Sequence, residues 1–362
     1  MRAELSCSPP ARHGKAWLLT RPDDIEAVLR DHEAVAFIAA RDPDLRAARV
    51  GLSPQVKLAV RARIAATTHD WTDIDAFVES AWIGLRQRLS RGDECDLIGG
   101  LVDPLVAEGA RRLLGIGHTD EWSDPGVCEL GRELVESLME GRAVARPMRQ
   151  RVAELAKSLA WATGLVPADG QAAVRALCAG AVEAPRAAMG LVLARLAALA
   201  LIDWPTADGA GDYIGELLRE ATPVRATVVV APQRLLAGTQ TAESERVTGD
   251  ARRVTGAETA YDHVADDEDA RRVVVGCSFE AVNRRPRARA VASELDETAD
   301  ATFGLGRFTC PGERLAHKLT TALVESSRRE LGTLGPIEVV RATTRTTPIH
   351  RSVESLVVRR AV

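Results

Sequence analysis

The residues with the clearest chemical capacity lie in one stretch, Phe303-Gly304-Leu305-Gly306-Arg307-Phe308-Thr309-Cys310-Pro311-Gly312-Glu313-Arg314. It presents a single cysteine after two glycines, whose backbones reach conformations closed to other residues. Pro311 suits the first position of a helix, where its missing N–H costs nothing. Leu315, Leu319, Leu323 and Val324 recur at helical spacing, which predicts a helix over about 311–330. A thiol at the mouth of that helix lies at the positive end of its dipole, among free backbone N–H groups. Both lower a thiol's pKa. The resulting thiolate suits a soft metal ion or haem iron. Taken alone, Cys310 reads equally well as a small core residue beside a helix cap.

Other candidates need a helix to bring them together. Ser53 to Thr68 reads as a capped helix on which Lys57 and Arg61, four apart, share a face. That face is either an anion site or a solvated basic surface. Residues 169–202 form the longest helical pattern, and Pro185 within it has no N–H for the carbonyl of Ala181, which predicts a kink at the proline. Glu183 lies beside that kink, as a functional acid or as a surface glutamate. Tyr213 to Thr222 reads as a short helix ending before Pro223, with Glu216 and Arg219 at i,i+3 able to pair.

The loop resembles the haem-ligand segment of the cytochrome P-450 superfamily, Phe-Gly-x-Gly-x-His/Arg-x-Cys-x-Gly, and meets every fixed position through Phe303, Gly304, Gly306, Arg307, Cys310 and Gly312. With glycine at about 7% of residues, a chance match to six fixed positions is very improbable. The resemblance implies haem b (iron protoporphyrin IX) with Cys310 as the axial ligand of the iron. It makes Arg307 a partner of a propionate and Phe303 a packing residue near the sulfur. Lys57 and Arg61 would occupy the family's His-x-x-x-Arg places as further propionate partners. Glu216 and Arg219 would be its buried Glu-x-x-Arg pair, bracing the cysteine loop. The family's Ala/Gly-Gly-x-Asp/Glu-Thr segment aligns with Gly180-Ala181-Val182-Glu183-Ala184. Glu183 then fills the acidic place, Ala184 replaces the threonine whose hydroxyl helps deliver protons, and the carbonyl of Ala181 becomes a place to hold a water. A propionate arginine is replaced by Val229, for which Arg225 stands in. Ala281–Pro286 also resembles a family segment. The haem is expected between the kinked helix near Ala181 and the Cys310 loop.

The fold expected is mainly α with small β-sheets, one cytochrome P-450-like domain over 1–362 with a loose start at 1–14 and a polar insertion at 238–270. The resemblance implies a monooxygenase inserting one oxygen atom into a small organic substrate in specialised metabolism. Its electrons would come from a separate ferredoxin or flavoprotein, since no flavin or nicotinamide motif is present. Ala184, Val229 and an abbreviated segment at about 129–167 keep a second class open. This is a haem-thiolate enzyme running peroxide-driven oxidation, rearrangement, dehydration or bond formation. A third is a catalytically idle binding partner.

Composition agrees with a helical, soluble, cytoplasmic protein. Hydrophobic residues are 46% and charged residues 27%, but aromatics only 4%, so the core must be built from Ala, Leu and Val. Those are mostly helix formers. A net charge of −4 gives no electrostatic case for nucleic acid. Six scattered cysteines form neither a disulfide frame nor a zinc motif. No membrane partner is expected, because the apolar run 187–202 is interrupted by Arg195 and is shorter than the ~20 residues of a span.

Overall fold

Helices make up most of the described residues, and two small sheets accompany them. The computed structural model describes residues 11–13, 16–31, 35–36, 54–117, 123–140, 145–199, 204, 207–224, 226–232, 272–279, 283, 302–304, 308–346 and 350–361. The chain divides into two compact units. One comprises Met1–Gly51, Glu136–Val144 and Val224–Cys310, the other Leu52–Val135, Ala145–Pro223 and Pro311–Val362. The polar segment 238–270 lies outside the described residues.

In the first unit, β1 (Ala11–His13), β2 (Ala16–Leu19), β3 (Val35–Ala36), β5 (Ala226–Pro232) and β6 (Arg272–Ser278) form a sheet in the order β1-β2-β6-β5-β3. β2 and β6 are parallel and the other pairings antiparallel. Part of the expected loose start is therefore ordered, because residues 11–13 pair with 16–18 as a hairpin edge. Pro22 opens α1 (Pro22–Arg30), whose Ile25, Val28 and Leu29 repeat at helical spacing and are fully buried. They pack with Leu19, Ala231, Val275, Cys277 and Phe279 into one apolar cluster.

The second unit holds α2 (Pro54–Asp70), α3 (Ile74–Ser90), α4 (Asp103–Leu114), α5 (Asp124–Glu140, as far as Val135), α6 (Arg146–Thr163), α7 (Pro167–Ala181), α8 (Glu183–Ala197), α9 (Ala207–Ala221) and α10 (Glu313–Leu334). Its sheet runs β4-β8-β7, from β4 (Cys95–Asp96), β7 (Ile337–Thr346) and β8 (Arg351–Arg360). Asp96 closes that sheet: its carboxylate accepts from the Leu356 N–H and the Ser355 hydroxyl, both at 2.9 Å. α10 buries Leu315, Leu319, Leu323 and Val324, the stripe read from the sequence. Its Lys318 ammonium donates to the carbonyls of Thr68 and Trp71 at 2.9 and 2.6 Å, capping the end of α2.

The long helical pattern at 169–202 is two helices, and the break falls at Val182 (φ −109°, ψ −71°), three residues before the expected kink. Pro185 remains the cause. The chain restarts its helix so that the proline lies in the first turn of α8, where an N–H is not needed. The first amide bond of α8 then runs from the Arg186 N–H to the Val182 carbonyl at 3.0 Å. By length and composition Asp169–Ala197 could cross a membrane, a longer apolar run than 187–202. In this fold 65% of its most apolar 18-residue window is buried within the protein, and it carries the buried Glu183 and Arg186, as a pair of core helices does.

Candidate functional site

The cysteine loop is built by backbone. The Cys310 N–H donates to the Phe303 carbonyl at 2.6 Å, closing the turn, and Cys310 is exposed. Gly304 has φ +78°, and a Cβ there would collide with the Phe308 carbonyl. Glycine is required on both counts. Phe308 packs against the apolar cluster under the first unit's sheet. Sequence reasoning gave no role to Phe308, because it fills a variable place in the motif; its signal was a large apolar side chain in a polar loop. Nearby, the Asn283 amide donates to the Thr302 hydroxyl at 3.4 Å and both residues are buried, so Asn283 is tied to the loop's start; the rest of the 281–286 segment lies outside the described residues. α10 begins at Glu313 with Gly312 as its N-cap, so Pro311 lies in the preceding turn and is not the first helical residue. The reason is the Pro-Gly pair, which favours a turn over a helix start.

In the second unit the break at Val182 brings Ala181, Glu183 and Ala184 together. Glu183 is buried, and burial pushes its carboxyl above the usual range despite Arg132 and Arg186 nearby. Its Oε1 has no hydrogen-bond donor among the described residues. Arg186, one turn on, is also buried. Its Nε donates to Asp103 Oδ1 at 2.6 Å, and its other nitrogens reach the Val353 and Glu354 carbonyls and Glu354 Oε1 at 3.4–3.5 Å. Desolvation works against that guanidinium's charge, yet its pKa is raised by Asp103 and Glu354. Asp103 stands where a π-helical turn (Ile98–Val102) hands over to α4, so Gly99-Gly100 and a proline-containing helix start position the acid.

Arg219 and Glu216 pair as read from the sequence: Arg219 Nε donates to Glu216 Oε2 at 2.9 Å, with a second bond to Oε1. The pair is not buried as expected. The Arg219 side chain is 15% exposed but that of Glu216 is 41% exposed, because the carboxylate lies toward the open side of α9. Thr222 then ends α9 with φ +43°, its hydroxyl donating to the Arg219 carbonyl at 2.8 Å. Glu216→Ala should therefore cost about 1–3 kcal/mol, between the ~0–1 of an exposed pair and the ~3–5 of a buried one. The midpoint of urea unfolding measures it, and a cost at either limit would show the pair to be wholly solvated or wholly buried. Lys57 and Arg61 share an exposed face of α2. Arg307, Gly306 and Arg225 lie outside the described residues, and the side chain of Val229 is likewise undescribed.

No family model and no curated protein matches the sequence. Comparison with solved structures defines the class: over nearly its whole length the chain has the cytochrome P450 fold. It is similar to epothilone B-bound cytochrome P450epoK, with a TM-score of 0.69 at 16% identity over 98% of this chain and 94% of that one. It is similar to CalO2 with a TM-score of 0.68 at 19% identity, over 99% and 94%. A third is the cytochrome P450 PksS of the Bacillus subtilis 168 bacillaene polyketide synthase, with 0.67 at 15% over 98% and 94%.

Proposed function

We propose that the chain is a haem-thiolate oxidoreductase that holds iron protoporphyrin IX through Cys310 and oxidises a small organic substrate. The observation carrying this is an exposed cysteine on a backbone-closed loop in a chain with the cytochrome P450 fold. The residues fit the group. Gly304 permits a turn that a Cβ would block, and Cys310 is exposed. Lys57 and Arg61, both exposed on α2, take the role of partners to the two carboxylates of the porphyrin on the sequence resemblance. Arg307 and Arg225 take the same role on the sequence resemblance alone. When bound, thiolate-ligated haem supplies oxygen activation. The chain contributes binding, orientation and protons. A ferredoxin or flavoprotein supplies electrons on this reading. Two of the similar structures, one of an epothilone B-bound cytochrome P450 and one of a polyketide synthase cytochrome P450, support a substrate from specialised biosynthesis. The test is the spectrum of the reduced, carbon monoxide-bound protein, where absence of a thiolate-type band would refute the assignment.

Ala184 favours a second reading, in which oxygen is not activated by the usual route. A methyl group can neither donate a hydrogen bond nor hold an ordered water. Glu183 can store a proton, because burial favours its neutral form. It has no hydroxyl beside it at Ala184 to pass that proton on. Positioned acids of this kind contribute about 10²–10⁴ in rate. Driven by a redox partner, the wild-type protein should release much of its reducing power as hydrogen peroxide, and Ala184→Thr should shift the balance toward product. Tight coupling in the wild type with no change in Ala184→Thr would count against that role. Turnover with neither reductant nor peroxide would establish a non-oxidative reaction instead.

A further inference from the structure

Arg132 and Glu183 are charged neighbours that do not satisfy each other. A Cβ on Gly131 would run into the Val182 side chain, so α5 touches the break between α7 and α8 at its closest. The next residue, Arg132, is thereby fixed beside the break. Its Nε is 3.8 Å from Glu183 Oε1, outside hydrogen-bond range. The guanidinium side chain is 40% exposed and the carboxylate 11%. In the same unit Arg219 and Glu216 close into a two-bond fork, so an arginine here can reach its acid when the pair is structural. Arg132 instead stands off, and among the described residues Glu183 Oε1 is left without a donor.

We infer that Arg132 recognises an anionic group, a carboxylate or comparable oxyanion, carried by the substrate. This rests on the haem-thiolate reading only in taking the Val182 break as the substrate side. A planar guanidinium with open N–H groups matches a carboxylate in a bidentate fork. Glu183 does not oppose such a ligand. It is faced by Arg132 and Cys128 from α5, Arg186 on its own helix, Glu354 from β8 and Arg345 from β7. Arg186 is already taken by Asp103 and Glu354. Among these cations Arg345 exerts the weakest influence and Arg132 the strongest, so Arg132 is the cation whose influence changes most when a ligand's charge offsets it. Glu183, whose burial already favours the neutral form, then takes up a proton and becomes a donor.

The experiment is calorimetric titration of the haem-loaded full chain with decanoate and benzoate, against decanol and benzyl alcohol, in buffers of different ionisation heat. At least one acid should bind ten-fold or more tighter than its alcohol and take up a proton. Arg132→Gln should bring acid and alcohol within about two-fold with alcohol affinity unchanged, while Arg132→Lys keeps a preference. Glu183→Gln should keep the preference and lose the proton uptake. No preference for either acid in wild type, including no binding at all, overturns the inference, as does a preference that survives in Arg132→Gln. A missing thiolate spectrum with the acid preference intact refutes the haem assignment and leaves the anion site standing.

Discussion

Cys310→Ala abolishes the thiolate-type spectrum of the reduced, carbon monoxide-bound protein and leaves the fold in place. The anchors seen in the loop do not need the sulfur. The Cys310 N–H bond to Phe303 is backbone, the turn at Gly304 is backbone, and Phe308 supplies the packing. The residue is exposed, and exposed substitutions usually change stability by no more than about 0.5 kcal/mol. Haem loss in this variant is therefore a loss of ligation, not of the loop. Haem content, the carbon monoxide spectrum and the unfolding midpoint should be measured on one preparation. An unaltered thiolate-type spectrum would mean that another sulfur ligates the iron. Among the described residues the other cysteines, Cys95, Cys128, Cys178 and Cys277, are all buried. Burial pushes the thiols of Cys128, Cys178 and Cys277 up to about 12, which disfavours their thiolates.

What could be read from the sequence was what depends on neighbours along the chain. The α10 stripe, Gly304 in its turn and the Glu216–Arg219 pair all lie within one helical repeat or one short loop. The fold class followed because the cysteine loop is local and Gly304 within it is sterically obligatory. The break at Val182 was anticipated from Pro185 but misplaced, since a proline both disrupts one helix and starts the next. Exposure was the weakest inference. Nothing within four residues of Glu216 says which way α9 faces, and the pair is half open. Contacts across long separations could not be read at all. Gly131 meets Val182, Arg132 lies by Glu183, and Arg186 reaches Asp103 across 83 residues, each decided by how helices pack.

That last contact has the largest expected effect on stability. The Arg186 side chain is only 4% exposed, whereas Asp103 and Glu354 both keep some access to water. Removing either end is then unequal. Asp103→Ala strips a buried guanidinium of its 2.6 Å partner and leaves longer contacts to Glu354 and two carbonyls. An uncompensated buried charge of this kind costs about 3–5 kcal/mol, a large part of the ~5–15 kcal/mol that holds a typical domain together. Arg186→Met keeps an unbranched apolar stem and leaves two carboxylates that water can serve, so it should cost under about 2 kcal/mol. The double variant should be more stable than Asp103→Ala alone, the coupling expected of a contact pair. Protonation adds a second signature. Glu183 is an acid held above its ordinary pKa by burial, against the opposing pull of Arg132 and then Arg186. Its contribution to stability is therefore present at low pH and lost as pH rises through the folded-state value. Without Arg186 that value moves higher and the loss deepens, so Arg186→Met should weaken from pH 5 to pH 8 more than wild type does. Adding Glu183→Gln should remove the difference. Urea unfolding midpoints at the two pH values test all of this, and equal costs for Asp103→Ala and Arg186→Met would show that the guanidinium reaches water after all.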